Sequence, residues 1–450
     1  MKTFSRRWLL RNALCALAAS ALVLPVLAAD EIKPAPAKNK ENLVPYRVVM
    51  LPLLTADEIK PAPVQNIQPV STVNSTHEQV KAVTIRSKDG RNGVQTFCLD
   101  AEGRILALVA PQRGFSGSTQ GAKTEVHLLD AEGKYLKHWA VDFHGQSINV
   151  GPDGSIYVAG DAKVAKFDRE GSLQAKIDLP HVNELLKDKA GLRKQAEEQV
   201  SRDKAMYENM VKQYTERVKK IEAKPEADRS KTEKNQLQQY KQILQSYQQT
   251  EQFYAKRTVD QVTNEITGRL RVINAIALTP KDIFICCGET QGYGFAIWRL
   301  TPEFKEPKLI KGKLSGCCGQ MDIQTHGEDL LIAENCSHSF ARYDRDGKEK
   351  ARGGKRGKET DPGCFGSCCN PMNVRAASNG DIFTAESEGH VKRFSADGKF
   401  LGFVGSCKLQ GGCKNVSVAV SPKGDRVYFC DQPGARIIIM AEKKATASNQ

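Results

Sequence analysis

From residue 93 to residue 441 the apolar and polar positions fall into short recurring runs. A β-branched or apolar stretch leads to a tight turn and a second stretch, and two more stretches follow a loop. The turns between first and second stretches are Glu102-Gly103, Asp153-Gly154, Asn379-Gly380 and Lys423-Gly424. Those between third and fourth are Glu132-Gly133, Glu170-Gly171, Asp346-Gly347 and Asp397-Gly398. Glycine supplies the positive φ that such turns require, so each stretch is predicted to be a strand and each pair a hairpin. Second strands are expected at Ile105–Leu108, Ile156–Ala159, Ile283–Cys286, Leu330–Ala333, Ile382–Ala385 and Val427–Cys430.

Residues 182–266 break this period. Leu192, Ala196, Gln199, Asp203, Tyr207, Met210, Tyr214, Val218 and Ile221 keep 3–4 spacing, as do Leu237, Tyr240, Leu244, Tyr247, Glu251, Tyr254, Thr258 and Gln261. Two helices separated only by Ala223–Ser230 are predicted to lie antiparallel, as an arm on the order of 55 Å long. Its seam of Tyr, Gln and Thr, with Asp203 and Glu251, is a weak coiled-coil core that leaves room for self-association. Because the arm is inserted between complete units, its removal is expected to leave the rest folded.

Four strands with a period in the forties make a propeller blade, and six units fit at about 46 residues each. The expected fold class is all-β, a six-bladed β-propeller with an inserted antiparallel helical hairpin. Val83–Arg86 is expected to close the ring, since an open one would expose sheet edges. The clearest unit, NPMNVRAASNGDIFTAESEGHVKRFSADGKFLGFVG from Asn370, resembles an NHL repeat, in which a Pro precedes the first strand, a Gly turn leads to an IYVAD-like second strand and an Asn-His loop opens the third. The stretch from Ala333 carries the same loop with Ser337-His338. The resemblance implies an NHL-type propeller, with blades 1–2 and the closing strand in residues 81–181, the hairpin in 182–266, blades 3–6 in 267–441 and a tail in 442–450.

Ahead of the repeats, Ala13–Leu27 is an apolar run too short to span a bilayer and ends at small residues, as a signal-peptide core does. Ser5-Arg6-Arg7-Trp8-Leu9-Leu10-Arg11 resembles the twin-arginine export signal, so residues 1–28 are read as a leader and the mature protein as periplasmic or extracellular. Residues 29–80 carry Pro34, Pro36, Pro45, Pro52, Pro61, Pro63 and Pro69 and repeat ADEIKPAP, which predicts a linker with Leu43–Leu54 as its one apolar stretch. Hydrophobic residues make up 40% and charged residues 26% of the chain, which argues against a disordered or polytopic membrane protein. The net charge of +14 stays positive without Lys2, Arg6, Arg7 and Arg11 and favours anionic partners.

Of 13 cysteines, Cys15 leaves with the leader. Aligned by the repeat, Cys318, Cys369 and Cys413 share one position, and Cys286 and Cys430 share another. Cys317, Cys318, Cys364, Cys368, Cys369, Cys407 and Cys413 fall in loops leading into first strands; Cys286, Cys287, Cys336 and Cys430 occupy or adjoin loops leaving second strands. Both sets belong to one face of a propeller, and only Cys98 lies within a first strand. In an oxidising compartment the simplest reading is disulfides bracing that face. The alternative is a thiolate site in which Cys318, Cys369 and Cys413 point toward the axis and hold copper, zinc or an iron–sulfur cluster. No CxxC or CxxCH motif supports a particular cofactor, and none is assigned.

His144, His338 and His390 are further candidate ligands, with a loop role favoured for the latter two. Glu334, Glu386 and Asp431 follow second strands and are expected to hydrogen-bond backbone within their blades. Lys348, Lys350, Arg352, Lys355, Arg356 and Lys358 lead into the Cys364 loop and could form an anion site. No Ser-His-Asp motif, P-loop or G-x-S-x-G appears. The favoured function is a binding or scaffolding module for a protein, peptide or anionic glycan. The alternative is a metal-dependent or redox protein. NHL-type propellers include zinc-dependent peptidyl-hydroxyglycine lyases, and related folds include calcium lactonases, but three histidines at equivalent blade positions are missing here. The leader disfavours nucleic acid as a partner.

Overall fold

The computed structural model describes residues 75–111, 123–289, 294–316, 319–358, 360–367, 369–407, 409 and 415–444. The leader and nearly all of the linker lie outside these. After β1 (His77–Thr84) come β2 (Gly93–Leu99), β3 (Ile105–Ala110), β4 (Thr124–Leu129) and β5 (Tyr135–Val141), which form the first antiparallel sheet. The second holds β6 (Ser147–Val150), β7 (Ile156–Gly160), β8 (Lys163–Phe167) and β9 (Leu173–Asp178). Four helices follow: α1 (Pro180–Lys187), α2 (Lys189–Glu222), α3 (Lys231–Ala255) and α4 (Val259–Leu270). The third sheet is β10 (Ile273–Leu278), β11 (Ile283–Gly288), β12 (Phe295–Leu300) and β13 (Lys308–Leu314). The fourth is β14 (Ile323–His326), β15 (Asp329–Glu334), β16 (Ser339–Tyr343) and β17 (Glu349–Gly353). A parallel pair, β18 (Lys355–Arg356) and β19 (Cys364–Phe365), leads to the fifth sheet of β20 (Asn373–Ala376), β21 (Ile382–Ala385), β22 (His390–Phe394) and β23 (Phe400–Ser406). The sixth is β24 (Val416–Val420), β25 (Arg426–Asp431) and β26 (Arg436–Glu442), with β1 as its fourth strand.

The first strands of these sheets form a closed circle. β2 packs on β6, β6 on β10, β10 on β14, β14 on β20, β20 on β24, and β24 on β2 again. An apolar cluster fills each gap between neighbouring sheets. That is why β3 and β11 are buried along their whole lengths and read as continuous rather than alternating apolar runs. The ring is closed by β1, which overlaps the expected Val83–Arg86 at Val83 and Thr84 but begins six residues earlier: Thr84 pairs with Arg436 and His77 with Glu442. Ile85 then crosses between sheets, its N–H donating to the Ala435 carbonyl at 2.8 Å and its own carbonyl accepting from Val94 at 3.0 Å.

The helices depart from expectation in two ways. The second periodic run does not continue to Gln261 but stops at Ala255, because Thr258 and Gln261 cap one another and start α4 anew. Between them Arg257 turns inward and pairs with Asp203 at 2.9 Å and with Glu265. The larger difference lies at the root of the arm. Val182, Leu192, Ala196, Val262, Ile266 and Leu270 share one apolar cluster with Tyr157 and Val164 of the second sheet and Ile273, Ile283 and Ile285 of the third. The root therefore fills the gap between two sheets, and only the distal arm stands clear. There Tyr207 stacks on Tyr254 and Tyr214 meets Tyr240 edge to face, so α2 and α3 run in opposite directions. Among the described residues no helix is long and apolar enough to cross a membrane.

Candidate functional site

Side chains from the circle of first strands converge on its axis. Asp322 and Asn373 stand at the same point of two successive units, one residue before Ile323 and Val374. Asp322 Oδ2 accepts the N–H of Val374 at 3.0 Å, and Asn373 Oδ1 accepts that of Val418 at 2.9 Å. Gln146 does the same for Ile273 at 2.8 Å. Others reach across the ring: Asn149 Nδ2 donates to Gln324 Oε1 at 3.0 Å, from the second sheet to the fourth. Arg375 donates to the Val418 carbonyl at 3.0 Å and to that of Phe97 at 3.4 Å, joining the fifth sheet to the sixth and first. These bonds fasten the blades to one another around the axis, both between neighbours and across the ring.

What they leave open is small. A cavity of about 50 Å3 is lined by Gln95, His144, Asn274, Gln320, Asp322 and Asn415, among others. That is room for a few waters, far below the several hundred Å3 of an organic-ligand pocket. Burial pushes the Asp322 carboxyl up to about 6, opposed by the Arg375 charge and by N–H bonds from Val374 and Ile323. Gln320 Oε1 is buried there without a hydrogen-bond partner among the described residues. Of the expected ligands among the described residues, only His144 lines this cavity; His338 Nε2 instead bonds the Ser367 carbonyl at 2.9 Å. His390 is buried at the start of β22. The repeat alignment that groups the cysteines also groups Asp322 with Asn373, and that shared position is the sequence signal for these axial residues.

The cysteines do not share one setting. Cys286, Cys287 and Cys430 lie within β11 and β25, buried in three different inter-sheet clusters. Burial pushes the Cys98, Cys287 and Cys430 thiols up to about 12, which makes them inert. Cys364 is a buried thiol in β19, and Cys336 is half-buried in a single 3-10 turn. Cys369 does not line the axial cavity; it sits with Cys407, Met372 and Val404 between the fifth and sixth sheets. Cys317, Cys318, Cys368 and Cys413 lie outside the described residues. Among the described residues no disulfide joins two cysteines, and no group of three or more His, Cys, Asp or Glu is placed to hold a metal ion.

The acids after the second strands, expected to hydrogen-bond backbone, hold cations. Glu334 takes Arg352 at 2.7 Å, Glu386 takes Lys392 at 2.5 Å and Asp431 takes Arg436 at 2.8 Å, each binding the second strand of a blade to its third or fourth. Arg352 and Lys350, which pairs with Asp329 at 2.9 Å, are thus already matched by acids. Lys355, Arg356 and Lys358 of the same stretch are exposed.

A closed circle of four-stranded antiparallel meanders around a polar axis defines a β-propeller. No family model matches the chain, and no curated protein matches it significantly. Among solved structures it is similar to a catalytically inactive virginiamycin B lyase from Staphylococcus aureus bound to quinupristin, at 10% identity over 81% of this chain and 99% of the other, with a TM-score of 0.37. It is also similar to the RRP9 WD40 repeats, at 10% identity over 82% of this chain and 100% of the other, TM-score 0.40. Raptor from Chaetomium thermophilum matches at 9% identity over 82% of this chain and 30% of its own length, TM-score 0.40. Likenesses so remote carry no argument, and the propeller assignment rests on the circle of first strands.

Proposed function

We propose that this chain is an exported, six-bladed propeller of NHL type that acts as a binding or scaffolding module rather than as an enzyme. The observation that carries this reading is the axis, whose polar side chains are spent on fastening blade to blade around a cavity of about 50 Å3. The loops that lead into the first strands are then the working surface, braced by disulfides. With Cys98, Cys287, Cys364 and Cys430 as thiols, the bracing falls to Cys286, Cys317, Cys318, Cys336, Cys368, Cys369, Cys407 and Cys413. The exposed Lys355, Arg356 and Lys358 beside Cys364 suit an acidic protein segment or an anionic glycan, and the helical hairpin supplies reach and a surface for self-association. Retention on an immobilised sulfated glycan tests this. The mature protein should elute at clearly higher salt than the triple variant Lys355→Gln, Arg356→Gln, Lys358→Gln. Equal elution of the two would remove this surface from the proposal.

A further inference from the structure

A groove of about 360 Å3, sharing no lining residue with the axial cavity, lies where the first sheet meets the strand that closes the sixth. Its apolar floor is Val83, Ile85 and Leu129, and its wall is aromatic, with His127 from β4 and Tyr135 and His138 from β5. Strand register builds that wall. His127 and His138 are directly opposed, with ring centroids 5.4 Å apart, and Tyr135 meets the His127 ring edge to face at 5.9 Å. The Tyr135 hydroxyl bonds His138 Nδ1, and Glu125 holds Nε2 of the buried His127 at 2.8 Å. The rings are therefore set before any ligand arrives, and half of Tyr135 is left exposed.

The floor is equally fixed. Gly133 has φ +76°, and a Cβ there would lie 2.4 Å from Val83 Cγ2, so only glycine lets the β4–β5 turn sit on β1. Lys81 Nζ donates to the Glu132 carbonyl at 2.6 Å and Tyr428 to that of Ala131 at 3.1 Å, clamping the turn from the sixth sheet. At the mouth, Arg86 and Lys88 are exposed and make no ion pair among the described residues. Glu125, the one acid among the described residues lining the groove, is already engaged by His127.

We propose that this groove binds a small aromatic carboxylate, its ring against Tyr135 and His138 over the apolar floor and its carboxylate between Arg86 and Lys88. The volume falls within the range of organic-ligand pockets, preset rings favour a flat aromatic partner, and two unmatched cations select an anion. A ligand there would touch both the closing strand and the first sheet, so binding should stabilise ring closure.

Calorimetric titration of the full chain with 2-naphthoate, and with its uncharged analogue 2-naphthamide, tests the proposal. One saturable site for the carboxylate is expected, together with a raised melting temperature and affinity for the amide weaker by about tenfold. Arg86→Gln with Lys88→Gln should weaken naphthoate by about tenfold while leaving the unliganded melting temperature unchanged, because both side chains are exposed. Tyr135→Ala should weaken both ligands, and Lys399→Gln, an exposed cation elsewhere on the surface, neither. No saturable binding, equal affinity for the amide, or undiminished binding by the Arg86/Lys88 variant would each overturn it.

Discussion

Lys392 Nζ and Glu386 Oε1 stand 2.5 Å apart, and neither side chain exposes any surface. The ammonium also donates to the Cys364 carbonyl at 2.6 Å and lies over the rings of Phe365 and Phe403. A buried ion pair thus fastens the fifth sheet to the strand that leads into it from the fourth.

Breaking that pair from one side should be far worse than replacing it. Lys392→Met or Glu386→Gln alone is expected to cost about 3–5 kcal/mol, because a buried group is left without its partner, whereas the double variant Lys392→Met, Glu386→Leu should recover most of the loss. Urea denaturation at neutral pH measures both. Single variants within about 1 kcal/mol of the parent would mean that water reaches the pair.

Two buried groups should oppose each other in acid. His181 stacks on Trp298 at the arm's root with centroids 4.7 Å apart, and burial pushes its pKa from 6.5 down to about 4. Protons then favour the unfolded chain, so this group costs stability as pH falls through that window. Asp322 is pushed from 3.8 up to about 6, so protons favour the folded chain and acid adds stability. Relative to the parent, His181→Phe should gain stability as pH falls from 6.5 to 4, and Asp322→Asn should lose it between 6 and 4, each at up to about 1.4 kcal/mol per pH unit. Stability curves parallel to the parent's would refute the corresponding burial effect.

If the proposed disulfide bracing holds, alkylation of the unfolded, unreduced protein should label Cys98, Cys287, Cys364 and Cys430 and leave the eight cysteines assigned to the bracing linked. Labelling of Cys369 or Cys407 would remove the disulfide bracing from the proposed surface.

The arm should divide by deletion. Replacing residues 182–266 with a short linker strips five buried apolar side chains, Val182, Leu192, Ala196, Val262 and Ile266, from the gap between the second and third sheets, at about 1.5–3 kcal/mol for each of the larger ones. Cooperative unfolding is expected to be lost or greatly weakened. Joining Tyr207 to Tyr254 by a short turn keeps the root and the Arg257–Asp203 pair, and should leave the melting temperature within a few degrees. Equal tolerance of both deletions would show that the root adds nothing to the core.

Much of the propeller was legible in the chain because it is written in local terms. A glycine turn depends on two or three adjacent residues, and a buried second strand on five or six consecutive apolar ones. Hence Ile156–Ala159 and Ile283–Cys286 fall within β7 and β11. The cysteines were harder. Cys286 and Cys287 are neighbours, yet successive residues of a strand face opposite ways, and one enters the cluster shared with the fourth sheet while the other enters the cluster shared with the arm.

The sequence by itself determined the order, spacing and turns of the strands and the two long helices, since these follow from residues a few positions apart. Only the tertiary structure decided that the root of the arm is core, that Asp322 and Asn373 fasten neighbouring blades, and that Glu386 holds Lys392. Those outcomes depend on which surfaces close over a residue once the circle is complete. Ring closure joins Ile85 to Ala435 across some 350 positions of chain, and no window along the sequence contains both.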